Sequence, residues 1–249
     1  MTIEIALQLY TLRSHTARNM LATLRTIAAM GYGAVELAGY EGISAREIRA
    51  VLDELGMRTI GAHINLESLA EHPQQVLSDM QILGCRYVVV PWIAPARRST
   101  IAGVQRVAEE FNRYGAQLRN EGLSFAYHNH AYEFAPLETS SIWDQLIACT
   151  DPALVCFELD LYWAKYAGIE PLDLIEQHRA RLPLLHFKDM AADHTRADVP
   201  IGTGIMPWKP ILAACGDGQH WAIIEQDHPR NPLENVQSSL HSLQQIMGR

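Results

Sequence analysis

The feature that most limits how this chain can fold is a regular alternation of short β-rich runs with helical patterns, sustained from one end to the other. Eight runs read as strands: Ile3–Gln8, Ala34–Leu37, Thr59–Ile64, Tyr87–Pro91, Ser124–His128, Val155–Asp160, Leu182–Phe187 and Trp221–Glu225. Some, such as YVVV and WAII, are nearly unbroken apolar runs, the pattern of parallel strands covered on both faces. Between them the apolar period is helical. In Ile101–Asn120 the residues Ile101, Val104, Val107, Ala108, Phe111, Tyr114 and Leu118 form one stripe. Ser44 and Glu47 make a capping-box pattern ahead of another. Pro171 and Pro232 stand where a first helical turn accepts proline. Gly31, Gly56, Gly84 and Gly122 follow helical stripes, where a left-handed cap is wanted.

Eight strand–helix units without a linker, a low-complexity tract or a composition break predict a single (β/α)8 barrel domain over residues 1–249. A chain of 249 residues is about the size of one such barrel. A doubly wound open sheet is the competing arrangement, but it would usually carry a Gly-rich phosphate loop after its first strand, where this chain reads QLYTLR.

The net charge of −8 carries no basic excess, so no nucleic-acid partner is expected. No apolar run approaches the roughly 18 residues of a membrane span, and no secretory signal is visible. The cysteines Cys85, Cys149, Cys156 and Cys215 form no CxxC pair and read as reduced thiols of a cytoplasmic protein. Whether the chain forms a homo-oligomer is left open.

In a barrel of this type the chemistry sits at the C-terminal strand ends. Those ends offer Gln8 on strand 1, Glu36 on strand 2, His63 on strand 3 and Trp92 on strand 4. Strand 5 ends in YHNH, with His128 and His130. Strand 6 gives Glu158, Asp160 and Trp163, strand 7 gives His186, Lys188 and Asp189, and strand 8 gives Glu225 and Asp227. His128, Asp160, His186 and Glu225 supply one N or O ligand from each of four neighbouring strands, a set suited to one divalent ion such as Mn, Mg, Co, Zn or Fe. Each residue also has a plainer reading. His63 is either a hydrogen-bonded structural histidine or a substrate contact. Glu36 could pair with a basic group in the mouth. Trp92 and Trp163 could be rim packing or a wall on which a sugar stacks. Lys188 is expected to neutralise Glu158, because a buried charge needs a partner. His130, Glu133, Asp189 and Asp227 read as supporting or loop residues.

The motifs LQLYTLR, GYGAVELAG, YHNHAYEF, ELDLYWAKYAG, LLHFKDM, GTGIMPWKPIL and IIEQDHP, in this order over essentially the whole chain, resemble the xylose-isomerase-like TIM-barrel superfamily in its sugar phosphate isomerase/epimerase branch. The resemblance implies a divalent metal held on strands 5 to 8, and Asp160, His186 and Glu225 match that pattern. Strand 5 departs from it, with His128 where many relatives place a glutamate. Thr203 likewise stands where relatives often read glutamate. Ketose epimerases of the superfamily work with two facing glutamates, on strands 5 and 8, and here only Glu225 is present.

The expected activity is therefore a metal-dependent isomerase or epimerase of a small sugar-like ketose, working through an enediolate. Glu225 would be the base, with Lys188 and His128 assisting. Gln8, Glu36, His63, Trp92, His130, Glu158 and Trp163 would bind a small polyhydroxylated substrate. The alternative on the same site is a lyase that dehydrates a keto-inositol or eliminates from a 3-keto sugar, for which one base and one acid suffice. An abasic-site endonuclease fits the acidic charge poorly. A catalytically silent sugar-binding barrel would hold no metal.

Overall fold

The alternation closes into a ring. In the computed structural model, which describes residues 3–40, 42–216 and 220–249, eight parallel strands form one closed barrel. They are β1 (Glu4–Gln8), β2 (Ala34–Leu37), β3 (Arg58–His63), β4 (Tyr87–Val90), β5 (Ser124–His128), β6 (Val155–Asp160), β7 (Leu184–Phe187) and β8 (Trp221–Ile224). Each pairs with its sequence neighbours, and β1 pairs with β8 to close the sheet. The open-sheet alternative is thereby excluded. Helices return the chain between strands, from α1 (Arg13–Ala29) to α10 (Pro232–Ile246).

Local chemistry sets the helix ends. In α2 (Ala45–Leu55) the Ser44 and Glu47 side chains each bond the other's backbone N–H, a complete capping box. This helix stops at Gly56, whose φ of 64° is the left-handed conformation that an L side chain resists. α5 runs over Ile101–Asn120, the span its apolar stripe predicts, and starts on the Thr100 side chain, which accepts from Gly103 N. Pro171 and Pro232 open α8 (Pro171–His178) and α10, where the absent N–H is not missed.

The barrel interior is divided by height. Because side chains two residues apart share a face, the inward residues of successive strands stack in layers. The lower interior is apolar: Ala6, Ala34, Ile60, Tyr87, Val89, Ala126, Leu184 and Ile223 form one buried cluster. Two residues further up the strands, that inward face becomes polar, with Gln8 above Ala6, Glu36 above Ala34, His128 above Ala126 and His186 above Leu184. All four are nearly or wholly shielded from solvent. The sheet thus lifts a charged layer onto an apolar plug.

Candidate active site at the C-terminal mouth

The polar layer has two storeys joined by His186. In the lower one, Glu158 Oε2 lies 2.8 Å from His63 Nε2, 3.0 Å from His128 Nδ1 and 3.0 Å from His186 Nε2. Glu36 Oε2 stands 2.9 Å from His186 Nε2 and 3.5 Å from His63 Nε2, and it accepts a hydrogen bond of 2.8 Å from Gln8 Nε2. Room for this carboxylate depends on Gly61, because a Cβ there would come within 3.4 Å of Glu36 Oε1 and 2.9 Å of the Tyr87 carbonyl oxygen.

In the upper storey the Lys188 ammonium is gripped by three carboxylates. Its Nζ is 2.8 Å from Asp160 Oδ2, 2.7 Å from Glu225 Oε2 and 2.9 Å from Asp227 Oδ2. His186 Nδ1 reaches the same Glu225 oxygen at 2.7 Å. Asp160 is held rigidly. Its Oδ1 caps α7 (Leu161–Tyr166) by accepting from Trp163 N at 2.9 Å, and its own N–H donates to Asn129 Oδ1 at 2.9 Å.

Above both storeys opens a cavity of about 510 Å3. His63, His128, His130, Glu225 and Asp227 face it, and the indoles of Trp92 and Trp163 form part of its wall. Trp92 stands 45% exposed at the rim. Among the described residues, two groups have donor atoms close enough to share a divalent ion: His63, His128, Glu158 and His186, and separately Asp160, His186 and Glu225.

Burial and charge act against each other here. Burial favours neutral imidazoles, yet Glu36 and Glu158 outweigh it at His63 and lift that imidazole to about 10. At His130 burial and the Lys188 charge outweigh Glu225 and push the imidazole down to about 4. Burial raises the Asp160 carboxyl to about 6 even with Lys188 beside it. Glu225 moves the other way. Burial alone would raise it, but Lys188 and His186 hold it well below the usual carboxylate range.

The chain matches the xylose isomerase-like TIM barrel family over residues 24–246. It belongs to that family. It is 26% identical over 192 residues to the inosose dehydratase of Geobacillus kaustophilus (strain HTA426), a match covering 68% of this chain and 62% of that protein. A sugar phosphate isomerase/epimerase from Parabacteroides distasonis superposes with a TM-score of 0.83 at 23% identity, over 98% of this chain and 94% of the other. The IolI protein, solved with a zinc atom, superposes with a TM-score of 0.75 at 12% identity, over 99% and 98% of the two chains.

Within this family frame, the structure brings the four candidate metal ligands to the mouth in an arrangement the sequence does not show. Asp160, His186 and Glu225 converge as one group. His128 turns its Nδ1 to the other group, and its Nε2 is 3.9 Å from Asp160 Oδ2. Of the proposed substrate contacts, His63, Trp92, His130 and Trp163 face the cavity, whereas Gln8, Glu36 and Glu158 are fully buried beneath it.

One expectation is corrected. Lys188 does not pair with Glu158. Glu158 lies opposite Leu184 in the β6–β7 ladder, so Lys188 stands four residues further up, a rise of about 13 Å along the strand. The ammonium therefore meets Asp160, Glu225 and Asp227, while histidines partner Glu158.

The supporting residues include some with no sequence signal for their task. Asp189 is buried and accepts from the N–H groups of Met190, Gly202, Gly204 and Met206 and from Trp208 Nε1, so that one carboxylate shapes the loop after β7. Glu133 accepts from the Tyr127 hydroxyl and from His130 N, which orients the strand-5 loop. Thr203 is exposed in its loop and bonds the Pro200 carbonyl.

Proposed function

We propose that this chain is a metal-dependent lyase that removes water from a neutral keto-cyclitol or keto sugar. The observation that carries the reading is the inequality of the two sides of the cavity. Glu225 is a carboxylate held ionised just past the end of β8, and on the same cavity β5 presents an imidazole, His128, where a two-carboxylate epimerase needs a second proton carrier of the same kind. A single base is enough for elimination, and it handicaps delivery of a proton to the opposite face. The inosose dehydratase relative supports the same choice.

Glu225 takes the proton from the carbon next to the ketone. The C–O bond to the neighbouring hydroxyl breaks, a C=C bond forms, and the proton leaves with that hydroxyl as water. Lys188, 2.7 Å from Glu225, keeps that base ionised before the transfer. Trp92 and Trp163 offer flat apolar faces to the C–H face of a ring, and His130 adds a neutral imidazole for its hydroxyls. A divalent ion held by the buried His, Glu and Asp side chains would supply a Lewis acid for the ketone oxygen. The arginines nearest the strand ends are already engaged: Arg13 with the Asp227 carbonyl, Arg97 with Glu110 and Arg98 with the Ile93 carbonyl. That supports a substrate without phosphate.

The test is a panel of inososes, 3-keto-glycosides and simple ketoses incubated with Mn, Co or Zn and read by product mass. A dehydratase yields a product lighter by one water, whereas equal masses with altered stereochemistry would establish an isomerase or epimerase instead. Glu225→Gln should lower turnover by roughly 10²–10⁴-fold while leaving the fold intact.

A further inference from the structure

The geometry points to a substrate with two sugar rings, a keto-glycoside. The reacting ring lies in the cavity over the mouth, and a second, neutral ring lies in a polar groove that runs on from it past the end of β3. The inference rests on the keto-sugar reading given above and adds what that sugar carries. The elimination is unchanged, with water leaving from the keto ring.

The groove is a second cavity, of about 400 Å3, bounded by the loop after β2 and by α3 (Leu66–Glu71) and α4 (Pro73–Leu83). Gly39, His63 and Asn65 line both this groove and the 510 Å3 cavity, so the two spaces adjoin. Small-molecule sites run from about 300 to 1,000 Å3, and each space alone reaches that range. A substrate of one ring could use only the first. The seam between them carries Gly39, whose φ of 101° is a conformation that an L side chain resists, and a Cβ there would stand in open space.

The lining indicates what the second group is. Among the described residues of the groove there is no lysine or arginine to receive a phosphate. The carboxylate present, Asp79, is already bonded by the Tyr40 hydroxyl at 3.1 Å and by Gln75 Nε2 at 2.9 Å. Neutral donors and acceptors remain. Asn65 Oδ1 accepts from Ser68 N at 2.7 Å and so caps α3. That bond fixes the orientation of the amide. Among the described residues, Asn65 Nδ2, Ser68 Oγ and Gln75 Oε1 are left without a hydrogen bond. Ile64 and Val76 add apolar wall beside them. A sugar ring offers the matching surface, with hydroxyls at its edge and C–H groups on its faces. An apolar substituent would displace water from these polar groups without replacing its hydrogen bonds.

The experiment compares 3-keto-glucose with the 3-keto form of a glucose disaccharide, using protein loaded with Mn or Co and following consumption of substrate by mass. Wild-type kcat/KM should be at least about tenfold higher for the disaccharide, with the difference in KM. Asn65→Asp keeps the helix cap and loses the amide donor, and Gln75→Leu removes the amide from the groove wall. The double variant, checked for folding by circular dichroism, should bring the two substrates within about threefold of each other. A wild-type preference below about threefold would overturn the second ring and leave the reaction standing, and a preference that survives both substitutions would overturn the groove as its site. If neither keto sugar is consumed, the reaction proposed above fails and binding alone judges the groove. Calorimetry with methyl glucoside and methyl maltoside, which carry no ketone, should then show the maltoside bound at least about tenfold more tightly by the wild-type protein and without that advantage by the double variant. Equal affinities, or no binding of either, would overturn the inference.

Discussion

The two ends of the barrel interior are built from the same eight strands and could hardly differ more. The lower end is a plug of Ala6, Ala34, Ile60, Tyr87, Val89, Ala126, Leu184 and Ile223. Its charges lie outside, in surface pairs such as Arg58 with Glu4 and Arg49 with Asp53. The upper end buries Glu36, Glu158, Asp160, His186 and Lys188 at 1% exposure or less. Apolar burial stabilises by itself, at roughly 25 cal/mol per Å2. Buried charge does not, and is tolerated only where every charge meets its counterpart. The plug holds the sheet closed, and the mouth is where the fold gives up stability for chemistry.

That contrast is tested most severely at Lys188. Lys188→Met removes the cation shared by Asp160, Glu225 and Asp227 and leaves two buried carboxylates and the half-buried Asp227 facing one another. The expected loss is about 3–5 kcal/mol in urea unfolding at neutral pH, together with loss of turnover. A loss below about 1 kcal/mol would mean that the upper storey is wet and screened.

Leu184→Ala probes the other end. Leu184 is fully buried in the plug, directly below His186 on the inward face. A cavity there should cost roughly 2–5 kcal/mol, while bound metal per chain stays unchanged. If metal content falls in step with stability, the plug and the mouth are not separable.

The same division explains what the sequence discloses and what it withholds. Strand positions follow from apolar runs, and three of the eight, Ala34–Leu37, Ser124–His128 and Val155–Asp160, have the bounds their residues predict. The others differ by one or two residues at one end, or in the third strand by one residue at both. The membership of the mouth is legible too, because an ionisable residue at the end of a buried strand has few other places to point. Height is not legible. Whether Glu158 faces Leu184 or His186 is fixed by the stagger between β6 and β7, and nothing local in ELDLYW or LLHFKD encodes it. Hence the expected Lys188–Glu158 pair, and hence His128 placed beside Asp160 and Glu225 when its Nδ1 turns to Glu158. The tasks of Asn129 and Asp189 are hidden for a related reason, since hydrogen bonds to distant backbone leave no periodic trace.

Glu133 sits at the margin of the mouth and sharpens the comparison through pH. Burial raises its carboxyl from the ordinary 4.5 to about 7, against the opposing hydrogen bonds from Tyr127 and His130 N. Between those two values the folded protein holds a proton that the unfolded chain has released, so stability falls as pH rises through this window. The loss from this group amounts to about 3 kcal/mol at most. Glu133→Gln stays neutral throughout. Measured against wild type, it should gain stability from pH 5 to pH 8, and a difference that does not vary with pH would show that Glu133 is already ionised at pH 5.

The smallest effect is expected at the rim of the plug, where charge lies in water. Arg58 and Glu4 pair across β3 and β1, but their side chains are 59% and 49% exposed. Exposed pairs of this kind contribute about 0–1 kcal/mol, because water screens the attraction and two flexible side chains must be held in one geometry. Arg58 also lies over the Trp221 ring, with its guanidinium carbon 5.2 Å from the centroid. Glu4→Ala leaves that stacking intact and removes only the ion pair, so it isolates the charge effect. Glu4→Ala should therefore change unfolding free energy by less than about 1 kcal/mol, and by less still at 0.5 M salt. Such a result, beside a several-fold larger loss for Lys188→Met, would establish that what matters about a charge in this barrel is the depth at which the strand places it. A Glu4→Ala loss of about 3 kcal/mol that persists in high salt would break the comparison, because the lower rim would then be using charge as the mouth does.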